Sequence, residues 1–161
     1  MIDLQNKIQW KKWIPCVLLP LAAGGLSAWL TRDGMEKFAH LEQPPLSPPG
    51  WLFPVVWTIL FFLMGVASYL VVRSDAPWAQ KKKALIFYGV QLVVNFFWSI
   101  LFFNLGMYLF AFFWLVLLWV LILATLVLFG RIRGSAGWLL VPYLLWVTFA
   151  GYLNFGIFLL N

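Results

Sequence analysis

The side chains in this chain with most scope for chemistry are aromatic: 11 Trp, 16 Phe and 5 Tyr in 161 residues. Several recur at helical spacing. Trp57, Phe61, Met64 and Ser68 follow i, i+4, i+7, i+11, and Gln91, Asn95, Trp98 and Phe102 repeat that pattern. Phe110, Trp114 and Leu117 form a third stripe, and Trp146, Ala150 and Leu153 a fourth. Each stripe is one face of a helix. Taken one at a time, such faces most simply pack a helical bundle. Acid–base chemistry is a poor fit, because general acids and bases need titratable groups and no Asp, Glu, Lys, Arg or His lies within these stripes. His40 is the single histidine and Cys16 the single cysteine, so neither a metal site nor a disulfide framework is expected.

The elements that must carry these stripes are membrane spans. The chain is 64% hydrophobic and 10% charged, against about 25% charged in a typical soluble domain. All sixteen Lys, Arg, Asp and Glu residues fall between long apolar blocks. The blocks predict spans near 13–30, 51–72, 84–103, 107–129 and 136–160. Residues 84–129 are one apolar run of 46 residues. As one helix it would measure about 69 Å, twice a bilayer core of about 30 Å, so it must fold back. Asn104-Leu105-Gly106 is the turn that permits this. Continuous blocks of about twenty residues exclude a β-barrel, whose strands alternate over about ten. The expected fold is all-α: a single domain over 1–161, a polytopic bundle of five transmembrane helices.

The net charge of +6 does not point to nucleic acid. With five spans, the N-terminus and the 73–83 and 130–135 loops share one side. They carry Lys7, Lys11, Lys12, Arg73, Lys81, Lys82, Lys83, Arg131 and Arg133, against Arg32 and Lys37 on the other side. This asymmetry predicts a cytoplasmic N-terminus and an outer C-terminus. No Asp, Glu, Lys, Arg or His lies within a predicted span, which argues against a proton pump, ion channel or voltage sensor. Trp10, Trp13, Trp29, Trp51, Trp78 and Trp138 lie near span ends, as an interfacial belt requires. Trp57, Trp98, Trp114, Trp119 and Trp146 lie deeper and need acceptors for their indole N–H groups.

Four prolines stand within residues 44–49. Ser47 is expected to cap the second span, with Pro48 and Pro49 in its first turn, where proline is tolerated. Pro54 is expected to bend the start of that helix. On the first span, Gly24 and Ala28 form a small-xxx-small pair that permits close helix contact.

Three segments, "PPLSPPGWLFPVVWTILFFLMGVASYLV" (44–71), "QLVVNFFWSILFF" (91–103) and "LLVPYLLWVTFAGYLN" (139–154), together resemble the TspO/MBR family of tryptophan-rich sensory and translocator proteins. The resemblance implies a five-helix fold with a ligand cavity under its first loop. It implies a pocket lined by Ala28, Trp57, Asn95, Trp98, Phe110, Leu117, Trp146, Ala150 and Leu153, with Pro44, Pro45, Pro48 and Pro49 as the lid and its hinge. It implies porphyrin or haem-like tetrapyrrole ligands, no further cofactor, a homodimer and residence in a bacterial cell membrane. Gly24, Ala28 and Gly89 are candidate dimer contacts. A degradative reading, with light- and oxygen-dependent porphyrin breakdown, would use Trp57 and Trp146. A purely structural scaffold is the third reading. Leu46 stands where the family often has tryptophan, and Phe61 where it often has tyrosine. No basic residue follows Tyr152, so the family's sterol motif is incomplete.

Overall fold

A computed structural model describes residues 7–161. Its helices are α1 (Trp10–Leu30), α2 (Arg32–Phe38), α3 (Leu52–Arg73), α4 (Trp78–Ser99), α5 (Tyr108–Ile132), α6 (Gly134–Leu139) and α7 (Val141–Leu160). A π-helical turn, Ile100–Asn104, continues α4. No strand occurs among the described residues. Five units are long and apolar enough to cross a membrane: α1, α3, α4 with its turn, α5, and α6 with α7. The protein is an all-helical membrane bundle.

Short connections make successive spans antiparallel. The starts of α1, α4 and α6 therefore share one end of the bundle with the ends of α3 and α5. Here α4 begins six residues before the expected boundary, so Lys81, Lys82 and Lys83 lie in its first turns rather than in a loop. The amine of Lys81 donates to the carbonyl of Val72 at 3.1 Å. That carbonyl belongs to the last turn of α3, where a cation is favoured by the helix dipole.

The most extensive packing between two helices joins α1 to α3. Pro20 has no N–H, so the carbonyl of Cys16 loses its helical donor. Gly65 of α3 comes against this spot. A Cβ at Gly65 would lie 2.6 Å from Cα of Val17 and 2.8 Å from the Cys16 carbonyl oxygen. Further outward, a Cβ at Gly24 would collide with the ring of Phe61. Gly24 thus serves a contact within the chain, while Gly25 on the same helix has open space around it. At the other end, Gly137 of α6 approaches the backbone of Gly130 of α5, where an added Cβ would be 2.8 Å away. This lets α6 turn back on α5 before Pro142 restarts the span as α7.

Two local expectations are corrected. Helix α3 starts at Leu52, and Ser47 does not cap it; its hydroxyl donates to the carbonyl of Pro44 at 2.7 Å. Pro48 and Pro49 precede the helix, and Pro49 supplies a carbonyl to the N–H of Leu52 at 3.0 Å. Pro54 is the third residue of α3, where N–H groups have no intrahelical partner, so no helical bond is lost and the bend has no cause. The turn after α4 falls where expected. The N–H of Leu105 reaches the carbonyl of Ile100 at 3.1 Å, and Gly106 takes φ +61°. Such a left-handed backbone suits glycine because it carries no Cβ.

Candidate functional site

An internal cavity of about 630 Å³ lies between α1, α3, α4 and α7, in the half of the bundle away from the basic end. Its volume falls in the range of about 300–1,000 Å³ typical of small-molecule sites. Helix α1 contributes Ala23, Gly24, Ser27 and Ala28, which are small and leave room. Helix α3 contributes Phe53, Trp57 and Phe61; α4 contributes Asn95, Phe96 and Trp98; α7 contributes Trp146, Ala150, Leu153 and Asn154. The roof is Met35, Phe38 and Ala39 with Ser47, Pro48, Pro49 and Gly50.

The walls are held by aromatic contacts. Trp57 stacks on Phe61 at 5.5 Å and meets Tyr143 edge-on at 6.1 Å. Trp146 meets Phe53 at 5.9 Å and Phe149 at 5.6 Å. Trp98 stacks on Phe102 at 5.3 Å. The π-helical turn has a specific use here. It lets the consecutive residues Phe102 and Phe103 both reach Phe38 of α2, at 5.7 and 5.5 Å. Phe53 meets the same ring at 6.4 Å. Phe38 is therefore the plug that seats the roof on the bundle. The turn is also tied down by its backbone. Gly34 of α2 lies against the carbonyl of Phe103, and Asn104 Nδ2 donates to the carbonyl of Leu30 at 3.0 Å.

Polar groups in the wall are few and mostly committed. Asn95 Nδ2 donates to the hydroxyl of Tyr143 at 2.6 Å, and that hydroxyl donates to Gln91 Oε1 at 2.8 Å. Trp98 Nε1 donates to Asn154 Oδ1 at 3.1 Å, and Asn154 Nδ2 donates to the carbonyl of Tyr108 at 2.8 Å. These bonds orient both amides and leave a rigid, weakly polar wall. Among the five deep tryptophans, Trp98, Trp114 and Trp119 each find an acceptor, the latter two in the Val94 carbonyl at 2.7 Å and the Thr148 hydroxyl at 2.8 Å. The indole nitrogen of Trp146 is buried with no partner among the described residues. An unmet buried donor costs about 1–3 kcal/mol.

Of the nine residues expected at the pocket, Ala28, Trp57, Asn95, Trp98, Trp146, Ala150 and Leu153 surround this cavity. Phe110 and Leu117 do not. They face outward on α5, 50% and 45% exposed. The buried face of α5 is Ala111, Leu115, Leu118, Ile122, Thr125 and Phe129. It lies one residue, or about 100° of rotation, from the expected stripe. It packs on α4 and α7, and α5 supplies nothing to the cavity wall. Phe38, Phe53 and Phe103 were not anticipated, since two lie outside any stripe and the third needs the π-helical turn to reach the roof.

Comparison with known proteins agrees with this architecture. The TspO/MBR family model matches residues 16–160. The chain is 40% identical to the tryptophan-rich protein TspO of Chlorobaculum tepidum, over 91% of this chain and 93% of that one. It is 36% identical to the corresponding protein of Archaeoglobus fulgidus, over 93% and 97% of the two chains. With the translocator protein of Bos taurus it shares 35% identity over 89% and 88%. A match across nearly the whole described chain makes this protein a member of the TspO/MBR family.

Proposed function

We propose that the cavity binds a flat, largely apolar molecule of the tetrapyrrole class, and that the protein acts as a membrane-embedded sensor, carrier or scavenger for it. The supporting observation is the cavity itself, aromatic on opposite walls and polar at few fixed points. Relatives named sensory or translocator proteins fit such a role. Seven wall residues carry the binding: Ala28, Trp57, Asn95, Trp98, Trp146, Ala150 and Leu153.

A second reading, slow photo-oxidative breakdown of the bound porphyrin, is favoured by Trp57 and Trp146 standing together in the wall. One titration separates the two. Protoporphyrin should bind saturably in darkness and quench part of the tryptophan fluorescence. Trp57→Phe or Trp146→Phe should weaken binding by about 0.5–1.5 kcal/mol. Under light and oxygen, loss of the Soret band beyond one equivalent, abolished by either change, would establish breakdown. No saturable binding at all would leave only the scaffold reading.

The basic end is proposed to face the cytoplasm of a bacterial cell. A membrane-impermeant thiol reagent added outside whole cells should then label His40→Cys and spare Ser74→Cys. The opposite pattern would invert the orientation. Two copies are proposed to associate through α4, where Gly89 is exposed with open space above it. Cross-linking at Gly89→Cys in lipid should give a dimer, and a monomer throughout would exclude this face.

A further inference from the structure

We propose that residues 42–51 form a strap lying in the bilayer against α7, and that the ligand reaches the cavity from the lipid beneath this strap. The route rests on the cavity being the ligand site proposed above; the depth of the strap does not.

The contacts of the strap descend α7 in order. Asn161 holds both backbone groups of Glu42, accepting from its N–H at 3.3 Å and donating to its carbonyl at 2.9 Å. Pro44 lies over Gly156, where an added Cβ would be 2.7 Å from the proline ring. The hydroxyl of Tyr152 donates to the carbonyl of Pro45 at 2.6 Å. Phe53, already in α3, then meets Trp146. From Asn161 to Tyr152, the strap's own contacts, is nine residues of sequence. That descent is about 14 Å at 1.5 Å per residue, a little under half of a hydrocarbon core of about 30 Å. Helix α3 starts only at Leu52, and its backbone scarcely approaches that of α7. The strap therefore closes the outer part of the seam between them.

Its chemistry suits that place. No charged residue occurs between Glu42 and Arg73. One side of the strap lines the cavity through Ser47, Pro48, Pro49 and Gly50. The other presents Leu46 and Trp51, 83% and 68% exposed. Irregular backbone at membrane depth is costly because unpaired N–H and C=O groups find no water. Four prolines remove four N–H groups at once. Serine, tyrosine and asparagine side chains, with one backbone N–H, take up the carbonyls of Pro44, Pro45, Glu42 and Pro49. Leu46 takes φ +69°, a conformation unfavourable for leucine. The bonds flanking it at Pro45 and Ser47 hold it there, and strain of this kind persists only where its surroundings impose it.

Depth is tested by a nitroxide on Leu46→Cys in a Cys16→Ser background, in nanodiscs without ligand. Collisions with oxygen should exceed those with a water-soluble nickel chelate, and a label on His40→Cys should show the reverse. A Leu46 label that matches the His40 label overturns the strap. The route is tested by Pro44→Cys with Gly156→Cys in the same background. With the disulfide formed, uptake of protoporphyrin from phosphatidylcholine vesicles should slow by about tenfold or more, and reduction should restore it. Equal uptake in both states overturns the route. Absence of binding in the reduced protein overturns the cavity assignment, while the collision data still decide the strap.

Discussion

Replacing Ala150 by leucine should abolish porphyrin binding without destabilising the protein. Ala150 is 8% exposed and stands one turn beyond Trp146 on the cavity wall. Its methyl group leaves the space in which a flat ring would lie against the indole. The added carbons of leucine enter that space, so the empty protein meets little resistance. A bound ring would have to move or distort, at a cost comparable to overpacking a core. The expected loss is at least about hundredfold in affinity, or ~2.8 kcal/mol. Fluorescence quenching by protoporphyrin measures it, and a thermal melt in detergent should show no fall in midpoint. Undiminished affinity would place the ligand elsewhere.

Gly65→Val should prevent the bundle from forming. Both nearest neighbours of the new Cβ would be backbone atoms of α1, at 2.6 and 2.8 Å. Backbone cannot rotate away as a side chain can, so α1 must separate from α3 along its length. The cost should exceed about 3 kcal/mol, the upper part of the overpacking range. A Gly25→Val control, with open space around a glycine of α1 itself, should fold normally. Size-exclusion chromatography and thermal melting in detergent give the comparison. A monodisperse Gly65→Val protein melting like the parent would mean that the α1–α3 contact has slack.

Much of the architecture could be read from composition, because a bilayer dictates the length and apolarity of each span. The turn at residues 104–106 was marked by Asn104 and Gly106 in an otherwise apolar run. The pocket faces on α3, α4 and α7 were readable because each carries Trp, Asn or Ala among aliphatics. Helix α5 carries Trp114 as well, but that indole reaches the Val94 carbonyl from beside the buried face, so the stripe it marks is one residue out of phase. Lipid is as apolar as the helix interface, so a helix apolar on every side does not reveal which face is buried, and Phe110 and Leu117 face away from the cavity. The usable signal was Ala111 and Thr125, the small and the polar residue on its buried face. Phe38 and Phe53 escaped notice for another reason. One lies in a short helix outside the spans and the other in a first turn, and neither position belongs to a periodic pattern.

The π-helical turn at Ile100–Asn104 changes what kind of sequence variation this part of the chain can absorb. It arises from one extra residue in a helical segment, so it constrains the count of residues more than their identity. Exchanging one bulky apolar side chain for another at Leu101 would preserve the register. Removing that residue would return the segment to a regular helix and rotate everything beyond it by about 100°. Phe102 and Phe103 could then no longer share Phe38, and Asn104 would leave the last carbonyl of α1. This stretch should therefore tolerate substitution while keeping its length unchanged, whereas the interhelical glycines are constrained by identity.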